Sequence, residues 1–157
     1  MNITLPRILC GFLLALSLTA SFAADSAPPA NDKLAAAREQ IAGKHWDAAI
    51  AELKRVNDTG SADWNNLMGY TLRKAGTPDL TASETFYNEA LRIDPKHRGT
   101  LEYSGELYLM KGNLPMAEQR LAALDKLCTF RCTEYTVLKK SIERFKAAGG
   151  VPGSYDY

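Results

Sequence analysis

Gly69-Tyr70-x-Leu72-x-x-x-Gly76 and Gly105-Glu106-x-Tyr108-x-x-x-Gly112 decide the fold. Both stretches place two glycines seven residues apart, and the second copy follows the first after 36 residues. Each opens on a glycine inside a helically spaced segment, where glycine costs about 1 kcal/mol relative to alanine. A cost repeated at the same register has a cause if a neighbouring helix approaches the backbone there. Each closes on a second glycine, suited to end the helix in a left-handed conformation.

A second amphipathic segment follows each pair of glycines. Residues 82–93 carry Phe86, Ala90 and Leu91 on one stripe and close with Asp94-Pro95. Residues 115–127 repeat the pattern with Ala117, Leu121, Leu124 and Leu127. An earlier, incomplete copy has Ala36, Ala37 and Ile41 in a first helix and Gly43-Lys44-His45-Trp46-Asp47 as a turn. Its second helix carries Ala49, Ile50, Leu53 and Val56. Beyond the last copy, residues 134–147 put Tyr135, Leu138, Ile142 and Phe145 on one face, with Lys139, Lys140, Glu143 and Arg144 elsewhere. No sustained period-two alternation and no Asn-Gly hairpin occurs, so the predicted class is all-α.

Trp46-Asp47-x-Ala49-Ile50, Trp64-x-x-Leu67-x-Gly69-Tyr70, Ala90-Leu91-x-x-Asp94-Pro95 and Gly112-x-x-x-x-Ala117 follow one another at roughly a 34-residue period. Over residues 33–127 the chain resembles the tetratricopeptide repeat (TPR) family. The resemblance implies a TPR-like right-handed solenoid of about three helix pairs, with residues 134–147 as a C-terminal capping helix that covers the last unit's outer face. Three departures stand out. The stretch from Gly76 to Pro95 is two residues longer than the family pattern, which predicts a bulged turn at residues 77–81. Leu127-Cys128 stands where Asp-Pro is typical, and the first copy has a short opening helix.

The ends of the chain predict its destination. Arg7, the apolar run of residues 8–20 and the small residues Ser21 and Ala23, three and one before a cut ahead of Ala24, make residues 1–23 a secretory signal peptide. The apolar run falls short of the roughly 20 residues needed to span a bilayer. The expected product is exported to the periplasm and is not membrane-embedded after signal removal. Residues 24–32 read as a flexible lead-in, 33–148 as the repeat domain and 149–157 as a flexible tail. The whole chain carries 19 basic and 18 acidic residues. Arg7 is the only charge in residues 1–23, so their removal leaves an even balance. That balance argues against nucleic acid and against an anionic membrane surface as the main target.

Cys128 and Cys132 are the cysteines outside the signal segment, and an oxidising compartment favours a disulfide between them. Two other roles remain open for the pair: soft-metal binding, copper above all, and thiol redox chemistry. Thr133 follows Cys132, where covalent haem attachment needs histidine. His45 in a turn and His97 at the start of a helix are expected to face solvent. No Ser-His-Asp order, phosphate loop or His-x-x-x-His spacing occurs, and Glu102 and Glu106 read as solvated helix surface. The expectation is a non-enzymatic scaffold with no cofactor and no resident metal.

The resemblance further implies that the first helix of each pair lines a concave groove taking a peptide or an envelope-protein segment. Helical spacing then nominates Arg38 from the first pair, Asn66, Tyr70 and Arg73 from the second, and Glu102, Glu106 and Leu109 from the third, with Met110 beside them. The family's carboxylate-clamp variety gathers basic and amide side chains around a C-terminal carboxylate, whereas Glu102 and Glu106 oppose such an anion. A subunit packed permanently on a larger complex through its outer surface is a further reading.

Overall fold

A computed structural model of the chain describes residues 32–130 and 132–152. The expected signal peptide, all of the lead-in except Asp32, and residues 153–157 of the tail lie outside the described residues. The chain is all-α: α1 Ala35–Ala42, α2 Trp46–Val56, α3 Ala62–Lys74, α4 Leu80–Ile93, α5 Arg98–Met110, α6 Leu114–Leu127 and α7 Thr133–Ala147. No strand occurs among the described residues.

Side chains with a free acceptor start four of these helices. Ser61, Asp79, His97 and Asn113 each accept a hydrogen bond from the backbone N–H three residues on, at Trp64, Ala82, Thr100 and Met116. Such caps satisfy amide groups that the helix itself leaves open. Helix ends follow two routes. After α5, Gly112 takes the left-handed conformation with φ 73°, as its position predicted. After α3, Ala75 leaves the helix in an extended conformation and Gly76 keeps a negative φ, contrary to the expectation of a left-handed close. The longer connection at residues 75–79 turns the chain instead, anchored by the Asp79 N–H donating to the Leu72 carbonyl at 3.1 Å. α2 also begins earlier than expected, because Trp46 and Asp47 are its first two residues and not part of the turn.

Small residues set the helix spacing. Ala49, Ser83 and Ala117, on α2, α4 and α6, are fully buried and stand 34 residues apart. The mid-helix glycines do admit neighbours, but different ones. A Cβ on Gly69 would lie 2.7 Å from the Tyr87 ring of α4 and 3.1 Å from the Ser83 carbonyl oxygen, and the Ser83 hydroxyl donates to the Gly69 carbonyl. A Cβ on Gly105 would lie 2.6 Å from Leu138, on α7. Neither the buried ring nor the backbone carbonyl facing Gly69 can move aside freely. Gly69→Ala is therefore expected to destabilise the protein by about 1–3 kcal/mol despite alanine's better helix propensity. Gly60→Ala, where nothing lies within 4 Å, is expected to stay within about 0.5 kcal/mol. Urea denaturation of both variants checks the contrast.

Each helix packs on the next in sequence, and α5 also packs against α3 and α7. Two apolar clusters result. Leu34, Ala37, Leu53, Trp64 and Met68 form one among α1, α2 and α3. Leu101, Tyr108, Leu109, Ala117, Leu124, Leu138, Ile142 and Phe145 form the other among α5, α6 and α7. Cys128 ends α6 and Cys132 precedes α7, and the two are joined by a disulfide with an S–S distance of 2.06 Å. After α7, left-handed Gly149 and Gly150 turn the chain back so that Pro152 lies against Gly112. The start of the expected tail is thus seated on the fold. No helix among the described residues is long and apolar enough to cross a membrane.

Candidate functional site

Tyr70, one turn before the end of α3, is the centre of the site. Its ring lies 4.7 Å from that of Tyr103 on α5 and 6.3 Å, edge on, from that of Trp46 on α2. All three rings are half-buried. Each touches the next and none is closed over, so they form a continuous aromatic row drawn from three helices. Toward α1 the row borders a recess lined by Ile41, Ala42, Lys44, Trp46, Tyr70 and Lys74.

Beneath the row lies a buried charge pair. An Arg73 Nη donates to Glu106 at 2.8 Å, with the two side chains 1% and 8% exposed. The guanidinium carbon also sits 5.6 Å and 5.8 Å from the centres of the Tyr70 and Tyr103 rings. Ser141 of α7 donates to the other Glu106 carboxylate oxygen at 3.3 Å. The hydroxyl of Tyr87 lies beside the same guanidinium, and burial raises its pKa above the usual phenol value. Arg73, Glu106 and Ser141 therefore tie α3, α5 and α7 together under the aromatic row. A buried ion is tolerable only with such partners.

Glu102 stands apart from that pair. Its carboxyl is half-buried, and burial first, then the neighbouring charges of Glu106 and Glu134, raise its pKa to about 7, with Arg73 acting in the opposite sense. Burial and Glu102 push the Tyr103 hydroxyl up to about 12, so the ring is a neutral phenol at physiological pH. Burial raises the Tyr70 hydroxyl as well.

The residues nominated from the sequence divide accordingly. Tyr70, Arg73, Glu102 and Glu106 come together. Arg73 and Glu106 are buried floor and not open groove lining, so the expectation that they face a partner directly is corrected. Leu109 is fully buried in the α5–α6–α7 cluster and lines no groove, because helical spacing alone does not separate the two faces of a helix packed on four neighbours. Asn66 is also buried, accepting from the Thr100 hydroxyl at 3.0 Å between α3 and α5. Arg38 is exposed, bonded to Asp32 and 3.8 Å from Asp63, outside the aromatic row. His97 is largely covered, against the expectation of a solvent-facing ring: one nitrogen caps α5 and the other lies 3.0 Å from Asp63. His45 is exposed, as expected.

Sequence reasoning missed Tyr103, Trp46 and Ser141. Tyr103 was visible as an aromatic adjoining Glu102 and three residues before Glu106, on the same helical face. The bonded sulfurs of Cys128 and Cys132 offer no thiolate to a soft metal. A comparison with models of known protein families finds no match, and neither does one with curated proteins.

Proposed function

We propose that the chain is a non-catalytic binding module of the tetratricopeptide kind, exported to the periplasm, that holds a segment of a partner protein along the Trp46–Tyr70–Tyr103 row. In this reading α1–α2, α3–α4 and α5–α6 are three stacked helix pairs of a right-handed solenoid, and α7 is its cap. The 34-residue spacing of Ala49, Ser83 and Ala117 supports the stacked pairs. So does the packing of α5 on both α3 and α7. The single observation that carries the binding role is the aromatic row itself. Rigid amphipathic rings lose little conformational freedom on binding and are the side chains that dominate interfaces.

The test is site-specific photocross-linking. A benzophenone amino acid replacing Tyr103 in the native envelope is expected to give a discrete adduct. The same amino acid replacing exposed Glu118 on α6 is expected to give none. Equal yields at the two positions, or no adduct at Tyr103, would sink the reading.

A further inference from the structure

Helices α1 and α5 close by the same backbone bonds but with different residues. After α5, the Gly112 N–H donates to the Leu109 carbonyl at 2.9 Å and the Asn113 N–H to the Tyr108 carbonyl at 2.7 Å. After α1, the Lys44 N–H donates to the Ile41 carbonyl at 2.9 Å and the His45 N–H to the Gln40 carbonyl at 2.8 Å. Gly112 has φ 73°, and Lys44 holds the same left-handed region at φ 58°. A lysine there carries a strain that glycine avoids, and Gly43 stands one position too early to relieve it. Strain kept at one residue points to a use for its side chain. The Lys44 ammonium has no ion pair or hydrogen bond among the described residues. It borders the recess of about 550 Å³ beside Trp46 and Tyr70, where Lys74 is a second cation and no lining side chain is acidic. Two cations beside two rings fit an acidic segment that carries rings of its own.

A segment of that chemistry lies within reach on the same chain. Left-handed Gly149 and Gly150 turn the chain back from α7, and Pro152 lies against Gly112 at the end of α5. The end of α3 is next to that point: Arg73, which precedes Lys74, lies 3.8 Å from the sulfur of Met110. Packed helix axes stand about 8–10 Å apart, and five further residues span up to about 17 Å. Residues 153–157 read Gly-Ser-Tyr-Asp-Tyr, with one acid between two rings and no base. Tethering holds such a segment at an effective concentration on the order of millimolar, so a weak contact suffices.

We propose that Tyr155-Asp156-Tyr157 docks in this recess, with Asp156 between the Lys44 and Lys74 ammonium groups and a tyrosine ring against Trp46 and Tyr70. The docked segment covers one end of the aromatic row until a partner displaces it. The displacement rests on the partner-binding reading above, whereas the docking stands without it.

A benzophenone amino acid replacing Tyr155 in the purified protein tests the docking, with adducts mapped by mass spectrometry. Intramolecular adducts are expected within residues 41–46 or 70–74. Their yield is expected to fall about tenfold when Lys44→Glu and Lys74→Glu are combined, and to return when Asp156→Lys is added. Lys54→Glu with Lys126→Glu makes the same net-charge change at exposed positions of α2 and α6 and is expected to leave the yield alone. No adduct, adducts elsewhere, an unchanged yield in the recess variant, or a yield that stays low after the exchange of charge each overturns the docking. In the native envelope, Asp156→Lys is expected to raise the partner adduct formed by benzophenone at Tyr103. An unchanged partner yield overturns the displacement. Absence of the partner adduct in both forms rejects the binding reading, and the intramolecular adduct then still decides the docking.

Discussion

Glu106→Ala is expected to lower the unfolding free energy by about 3–5 kcal/mol, the loss seen when one member of a buried ion pair is removed and the other is stranded. Arg73 is 1% exposed, cannot shed its proton and has Glu106 as its ion-pair partner. Without the carboxylate the guanidinium must either stay buried uncompensated or drag α3 away from α5. Arg73→Ala is expected to cost a similar amount from the other side, and neither variant can then report on binding separately from folding. The double change Arg73→Met with Glu106→Leu is the decisive comparison. Replacing a buried pair by apolar groups of similar size is often neutral or stabilising, so the double variant should recover most of the loss. Urea denaturation measures all three. A double variant as unstable as Glu106→Ala would mean that the pair itself, and not the stranded charge, sets the cost.

Trp64→Ala is expected to cost about 3–5 kcal/mol, as large-to-small changes of buried aromatic side chains do. Trp64 is 4% exposed at the start of α3 and packs edge on against Phe86 with ring centres 5.8 Å apart. Its indole N–H donates to the Leu53 carbonyl at 2.7 Å, near the end of α2. The same carbonyl accepts the Asn57 N–H at 2.9 Å, so the indole adds a second bond at the end of α2. Trp64→Phe keeps most of the apolar contact and leaves the Leu53 carbonyl its bond from the Asn57 N–H, so its expected cost is only about 0.5–1.5 kcal/mol. Thermal unfolding of the two variants should separate the contributions of volume and hydrogen bond. Equal losses would place the whole effect on the indole N–H.

What the sequence made legible follows from range. Helix starts, the mid-helix glycines and the apolar stripes are written within about one turn of themselves, and they predicted the all-α class and the helices closely. The identity of the neighbour at each glycine was not written there. Gly69 and Gly105 sit in matching motifs, yet one meets Tyr87 and the other Leu138. Which helix arrives depends on crossing geometry across the whole stack. Burial of Asn66, Arg73 and Glu106 was hidden for the same reason. Thr100 partners Asn66 from 34 residues away and Glu106 partners Arg73 from 33. Before the fold is known, such polar residues look like solvated helix surface. Tyr70 and Glu102 were legible because each stands on the open side of its helix.

Cys128 and Cys132 enclose only three residues. Two thiols so close along the chain meet often in any conformation, so oxidation does not wait for α5 or α7 to find their places. The elbow between α6 and α7 can close as soon as an oxidant reaches that short stretch, ahead of any distant contact. Formation of this bond is therefore a record of chemical surroundings and not of native packing: an unfolded variant in the same surroundings would carry it too.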